Sequence, residues 1–178
     1  MDLSYRPLGR GRYLSPADGV ISAAGAIKRE QSFEVKGQSV NLRTLLGRDS
    51  NLDYAFYQLI YLSPKNYHRF HAPVQEEVRE VYALGAESLP VNELGFKLGN
   101  PLMHNYRYII EYESLTMIPI GAVNVNAIQL TQLEAAQGEE LGRFCLGSSI
   151  LLLYRESPTA ESIMGPIQLR QDLFALED

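Results

Sequence analysis

The sequence predicts a mostly β fold (α+β in class) with short helices. Three observations carry this. Apolar positions recur at period two in the clearest segment, "HNYRYIIEYE". Aromatic and β-branched residues crowd runs such as "YAFYQLIYL". Glycines and prolines recur between these runs and mark turns.

The elements follow in chain order. "GVISAAGAI" is a strand entered from the Asp18-Gly19 turn. "NLRTLLGR" is a short helix: Asn41 can cap it, Leu42, Leu45 and Leu46 make an apolar stripe, and Gly47 ends it. "YAFYQLIYL", residues 54–62, is a strand that stops at Ser63-Pro64. "EEVREVYAL" alternates less cleanly and fits a strand or a helix. In "HNYRYIIEYE", Tyr106, Tyr108, Ile110 and Tyr112 make one packed face of a strand. "MIPIGAVNVNAIQL" reads as a strand interrupted at Pro119 and Gly121. "LGRFCLGSSILLLY" reads as two strand-like halves meeting at Gly147. With no repeat, low-complexity stretch or linker, residues 1–178 read as one domain.

Composition narrows the function classes. At 46% hydrophobic and 21% charged the chain is an ordinary globular sequence, long enough to bury a core. Its net charge of −5 is uneven. Residues 1–50 hold eight Lys/Arg against five Asp/Glu, and residues 51–178 hold eight against sixteen. The basic N-terminal third fits either an anionic membrane surface or a solvated face. Nucleic acid is not an expected partner, because no dense Lys/Arg cluster exists and the total charge has the wrong sign. The single cysteine, Cys145, rules out an intrachain disulfide and fits a reducing compartment. No apolar run approaches the ~20 residues of a spanning helix. The N-terminus, "MDLSYRPLGRGRY", lacks the apolar middle of a signal peptide.

Several familiar sites are missing. There is no G-x-x-x-x-G-K-[ST] phosphate loop, and Gly9-Arg10-Gly11 is too little for a dinucleotide turn. Ile150 stands where a G-x-S-x-G elbow needs its last glycine, which disfavours an ordinary serine hydrolase. What remains is three short segments. "SPADGVIS" holds Asp18-Gly19 and, alone, is a tight turn. "YLSPKNYHRFHAPV" holds His68 and His71 between Pro64 and Pro73. The pair converges in a turn and diverges in an extended chain. Zinc would need a third ligand, and no metal is assigned. "FCLGSSILLLYRE" places Ser148 and Ser149 between Gly147 and an apolar run. Ser148 is either the polar start of a buried strand or a serine placed for chemistry.

In that order, the three segments resemble the phosphatidylserine decarboxylase family. Its members carry a P-x-D-G turn, an L-S-P-x-D-Y-H-R-x-H segment and a terminal L-G-S-T or G-S-S cleavage motif. The resemblance runs from about Tyr5 to Tyr154 and includes "KGQSVNLRTLLG", "ESLPVN" and "IGAVNVNAI". It implies a β-rich core related to the barrel-sandwich hybrid of biotinyl and lipoyl carrier domains. It also implies an enzyme that cuts itself between Gly147 and Ser148 to make a pyruvoyl cofactor. Ser148 Oγ would attack the Gly147 carbonyl, His71 would take the proton, and Asp18 would orient and support the imidazolium. An ester, β-elimination and hydrolysis would follow. They would leave a β chain, 1–147, and an α chain, 148–178, with the pyruvoyl made from Ser148. That group would accept the amine of phosphatidylserine and the electrons released with carbon dioxide, giving phosphatidylethanolamine. His68 would return the proton. Ser149 would be a hydrogen-bonding neighbour.

The chain departs from the family pattern in three places. Asn66 replaces the usual Asp, which weakens any charge support of the histidines. Ser149 replaces the commoner Thr. Only 17 residues precede Asp18, where family members usually have a longer region with apolar helices. A peripheral position on the cytoplasmic membrane face, a soluble protein and a homodimer therefore all stay open. Two other readings use the same residues: a maturation-dead homologue that binds a lipid headgroup, and a β-sandwich phosphocarrier using the His68/His71 pair.

Overall fold

The computed structural model describes residues 5–122, 128–145 and 148–176. A seven-stranded antiparallel sheet forms its middle layer. The strands are β1 (Gly19–Ala26), β4 (Phe56–Leu62), β6 (Glu80–Leu84), β7 (Arg107–Glu111), β8 (Leu115–Ile120), β11 (Ser148–Tyr154) and β12 (Gly165–Ile167), in the order β12-β1-β4-β11-β8-β7-β6. A three-stranded sheet covers one face, with β5 (Arg69–His71), β10 (Glu140–Phe144) and β9 (Ile128–Leu130) in the order β5-β10-β9. The other face carries the hairpin β2 (Ser32–Val35) and β3 (Gln38–Asn41). It also carries three short helices, α1 (Leu42–Leu46), α2 (Glu93–Leu98) and α3 (Pro101–His104). The expected mostly β architecture with short helices is what the chain adopts.

Strand parity sorts the apolar side chains into two cores. Ile150, Leu152 and Tyr154 of β11 join Ile60 and Leu62 of β4 and Phe70, Leu141 and Phe144 under the small sheet. Leu151 and Leu153 join Leu59, Phe33, Val40, Leu42, Leu45 and Phe96 under the hairpin and helices. Alternate residues of a strand point to opposite faces, so a strand covered on both sides must be apolar throughout. The run Ile150–Leu153 meets that demand, and every residue of β11 is buried.

Most of the expected elements fall where the sequence places them, and α2, α3, β5 and β12 are additional to them. Helix α1 is capped as expected: Asn41 Oδ1 accepts from Arg43 N at 2.9 Å and Thr44 N at 3.3 Å. The ambiguous "EEVREVYAL" becomes strand over Glu80–Leu84. Strand β7 packs on both faces, not one, because Ile109 and Ile110 enter opposite cores. Pro119 does not interrupt β8, which runs through it to Ile120. Pro119 pairs with Ile150 on one side. On the other, the ladder to β7 lacks partners between Ile110↔Met117 and Arg107↔Ile120, so no strand bond is lost to the missing N–H. The hairpin β2–β3 was not foreseen. Its Lys36-Gly37 turn has φ of 49° and 76°, the positive values that a two-residue hairpin turn requires.

One buried polar pair ties the C-terminal segment to the large sheet. Gln58, fully buried in β4, accepts from Tyr154 Oη at 2.6 Å and donates to Leu173 O at 3.0 Å and Ser162 Oγ at 2.8 Å. Tyr154→Phe keeps the ring and strands the Gln58 carbonyl. It is expected to lower the unfolding free energy by about 1–3 kcal/mol in urea titration, whereas an unchanged midpoint would show that the bond contributes nothing.

Candidate active site

The end of the large sheet where β11 begins gathers several distant segments. Ser148 pairs with Leu62, the last residue of β4. Beside β4, Val20 of β1 pairs with Tyr61, which places Asp18 at the same end. A Cβ on Gly19 would lie 2.5 Å from Tyr61 O, so glycine permits this close approach directly after Asp18. The segment following β4 leads to β5, and His71 N donates to Pro16 O at 2.8 Å. Strand β10 ends at Phe144, whose N–H donates to His68 O at 2.7 Å. Only residues 145–147 separate that point from Ser148. Gly147, the expected scissile residue, lies outside the described residues. The sheets thus bring Asp18, His68, His71 and Ser148 to one end, although 130 positions separate the first from the last.

Ser148 is 0% exposed, and its Oγ has no hydrogen-bond partner among the described residues. By parity with Ile150 it faces the layer that contains β5 and β10. A buried hydroxyl without any partner costs about 1–3 kcal/mol. Ser149 is equally buried and faces the opposite core. His68 Nε2 is the second buried polar atom at this end without a partner among the described residues.

His71 is fully buried, with its Nδ1 2.9 Å from Gly138 O. A carbonyl only accepts, so Nδ1 carries the proton and Nε2 keeps its lone pair. Burial pushes the imidazole pKa down, against the opposing pull of the Gly138 bond. The ring is therefore held neutral, the form a base requires. The Tyr67 hydroxyl faces Nε2 at 3.4 Å.

Asp18 is not the group on His71 Nδ1. Its carboxylate takes a two-pronged ion pair from Arg6 and a hydrogen bond from Leu169 N at 2.8 Å. Gly138, at φ 79°, turns its carbonyl onto the imidazole, at the ring nitrogen where the resemblance leads one to expect Asp18.

A family model for phosphatidylserine decarboxylase matches residues 4–168. The chain belongs to the phosphatidylserine decarboxylase family. It is 37% identical over 168 residues to the phosphatidylserine decarboxylase proenzyme of Bacillus subtilis, covering 88% of this chain and 64% of that relative. The Halalkalibacterium halodurans proenzyme is 38% identical over 174 residues, covering 92% and 64%. The Anoxybacillus flavithermus proenzyme is 37% identical over 169 residues, covering 88% and 64%. The chain thus spans just under two thirds of the length of these relatives.

Within this decarboxylase-family pattern, the Asn66 departure has a local explanation. Asn66 Oδ1 accepts from Ser63 N and Ser63 Oγ, both at 2.8 Å, and Asn66 N returns a bond to Ser63 O. The side chain shapes the turn ahead of the histidines and needs only an acceptor oxygen, which Asn supplies as well as Asp. Three groups escaped the sequence reading. Gly138 sits in an unremarked turn, Arg6 in a segment without periodicity, and Tyr67 inside a motif where the histidines drew attention. No helix among the described residues is long and apolar enough to cross a membrane.

The depressed His71 pKa makes acid destabilising. As pH falls below the usual histidine value of 6.5, the unfolded chain binds this proton before the folded one does. The stabilisation is therefore complete above that pH and declines as pH falls toward the folded value. In a Ser148→Ala background, His71→Gln should reduce the loss of melting temperature between about pH 7 and pH 5. Equal losses with and without His71→Gln would remove the buried neutral histidine from the description.

Proposed function

We propose that this chain is a self-cleaving, pyruvoyl-dependent decarboxylase of phosphatidylserine. The supporting observation is the fully buried Ser148 Oγ, without a partner among the described residues, at the sheet end shared with His68 and His71. In this reading His71 Nε2 removes the Ser148 proton, and Oγ attacks the carbonyl carbon of Gly147. The N–C bond breaks to leave an ester, and the amide nitrogen becomes the amine of residue 148. Loss of the Cα proton of residue 148 then expels the Gly147 carboxylate. The dehydroalanine hydrolyses with release of ammonia, giving the pyruvoyl end.

Ser148 suits this fate because two ladders, to β4 and to β8, hold the strand that carries it. The same ladders, with the Gln58 bond to Leu173, would keep an α chain of 148–178 attached to a β chain of 1–147. The pyruvoyl carbonyl supplies the electron acceptor as carbon dioxide leaves. His68, whose Nε2 is unpartnered among the described residues, returns a proton to the substrate carbon. Because the substrate is a membrane lipid, the protein would act peripherally, at a bilayer surface. A phosphocarrier fits less well: it must present a histidine nitrogen to a partner protein, whereas His71 is fully buried with Nδ1 bound to Gly138 O, and His68 Nε2 is a buried atom too.

Denaturing mass spectrometry of fresh protein should show pieces of 147 and 31 residues, the smaller one blocked at its N-terminus. Ser148→Ala should leave one whole chain. His68→Ala should still cleave but release carbon dioxide from phosphatidylserine at least about a hundredfold more slowly. A folded parent chain that stays intact and lacks a borohydride-sensitive carbonyl would sink the proposal.

A further inference from the structure

Helix α2 shows solvent a face that a packed helix normally makes polar. Gly95 and Phe96 are buried, whereas Leu94 and Leu98 are 57% and 64% exposed. Four positions apart, the two leucines stand on one side of the helix. The helix does not need them to stay in place. Asn92 Oδ1 caps it, accepting from Leu94 N at 3.1 Å and Gly95 N at 3.3 Å, and Gln38 Nε2 donates to Phe96 O at 3.1 Å. A Cβ on Gly95 would lie 1.4 Å from Pro90 O, so the helix rests directly on the segment before it.

That segment is tied to the end of the large sheet that carries Ser148. The fully buried Asn105 makes the tie: Nδ2 donates to Leu89 O at 2.6 Å and to Gly121 O at 2.8 Å, and Oδ1 accepts from Leu89 N at 2.9 Å. Gly121 directly follows Ile120, the β8 partner of Ser149. Unpaired positive charge gathers at the same end. Of the four lysines in the chain, Lys28 pairs with Glu34, and the other three are exposed with no carboxylate at ion-pair distance among the described residues. Lys97 precedes Leu98. Lys36, in the β2–β3 turn, holds Nζ 5.2 Å from the Phe96 ring centroid. Lys65 lies in the turn between Ser63 and Asn66, just past Leu62, the partner of Ser148. Glu87 and Glu93 are exposed near α2 as well, so charge alone does not define this surface. The leucines do.

We propose that α2 docks on a phospholipid bilayer: Leu94 and Leu98 enter the headgroup layer, and Lys36, Lys65 and Lys97 meet its anionic phosphates. This rests on the reading of the substrate as a membrane lipid. Apolar side chains on one helix face, flanked by unpaired cations, are what an element lying in the interface requires. Each lysine near an anionic surface strengthens binding about fivefold, and the apolar contact adds to that. Docking through α2 brings the bilayer to the sheet end that carries Ser148.

The test is flotation with vesicles of phosphatidylcholine and phosphatidylglycerol, which are anionic but hold no serine to react. Leu94→Ser with Leu98→Ser should weaken partitioning of the chain about tenfold or more. Lys36→Gln with Lys97→Gln should weaken it about tenfold at low salt, and that loss should shrink as salt rises. The chain has no tryptophan, so Leu98→Trp is a sole reporter. Its emission should shift to the blue on vesicles and be quenched by brominated acyl chains, while Leu133→Trp, in the loop beyond β9, should not respond. Melting temperatures check that each variant folds, and the tryptophan reporter decides alone if the paired serine variant does not. A parent chain that stays off the vesicles, a serine variant that floats like the parent, or a Leu98→Trp emission that ignores the bilayer overturns the inference. A changed oligomeric state on replacing the leucines, seen by light scattering, also overturns it, because the face then belongs to a second copy. Turnover of dispersed short-chain phosphatidylserine separates docking from the enzymatic reading. The serine variant should match the parent on it, yet be about tenfold slower on vesicles that contain phosphatidylserine. Equal losses on both substrates place the leucines in the site and overturn docking. A parent inert on both substrates defeats the decarboxylase reading instead, and flotation still decides the role of α2.

Discussion

Strand β11 is hydrogen-bonded along both edges and packed on both faces, and the rest of the structure is arranged around that constraint. Its alternation divides the molecule into two cores. A shift of one residue against β4 or β8 would exchange every side chain between them, so the register is strongly specified. The site inherits this fixity. Ser148 is the first residue of the strand, and its position is set by the same ladders that hold Leu151 and Leu152. The cost of burying one hydroxyl that has no partner among the described residues is small beside the apolar burial of the strand, at about 1.5–3 kcal/mol for each large aliphatic side chain.

Among the described residues, no charged side chain hydrogen-bonds the His71 ring. Asp18 is paired with Arg6, and Arg69 with Glu140, while the group that touches His71 Nδ1 is a neutral carbonyl. A buried imidazole beside a carbonyl is neutral but gains little help once protonated. A carboxylate would support that protonated form much better. For the proposed cut, which each chain makes once, such a base is sufficient. A multiple-turnover hydrolase has a stronger need for the carboxylate.

The amino-terminal and carboxy-terminal segments contribute to the site without carrying its motifs. Leu169 N binds Asp18, Arg170 binds Gly138, and Arg6 bridges Asp18 and Tyr67. The segment after β12 therefore anchors residues that, after the proposed cleavage, would belong to the other chain.

The sequence by itself determined the strand runs, the capped helix α1 and the residue types gathered at the site. These depend on local rules: side-chain alternation, turn chemistry and a capping asparagine. It also named Ser148, His68, His71 and Asp18 through the spelling of three short segments. The relations between those residues were decided by tertiary structure alone. Whether β7 packs on one face or two depends on what covers it, and Pro119 is tolerated because of where its neighbour's ladder opens. The choice of Gly138 over Asp18 as the partner of His71 was equally invisible in sequence, because hydrogen-bond partners 67 positions apart are selected by how sheets stack and not by any pattern along the chain.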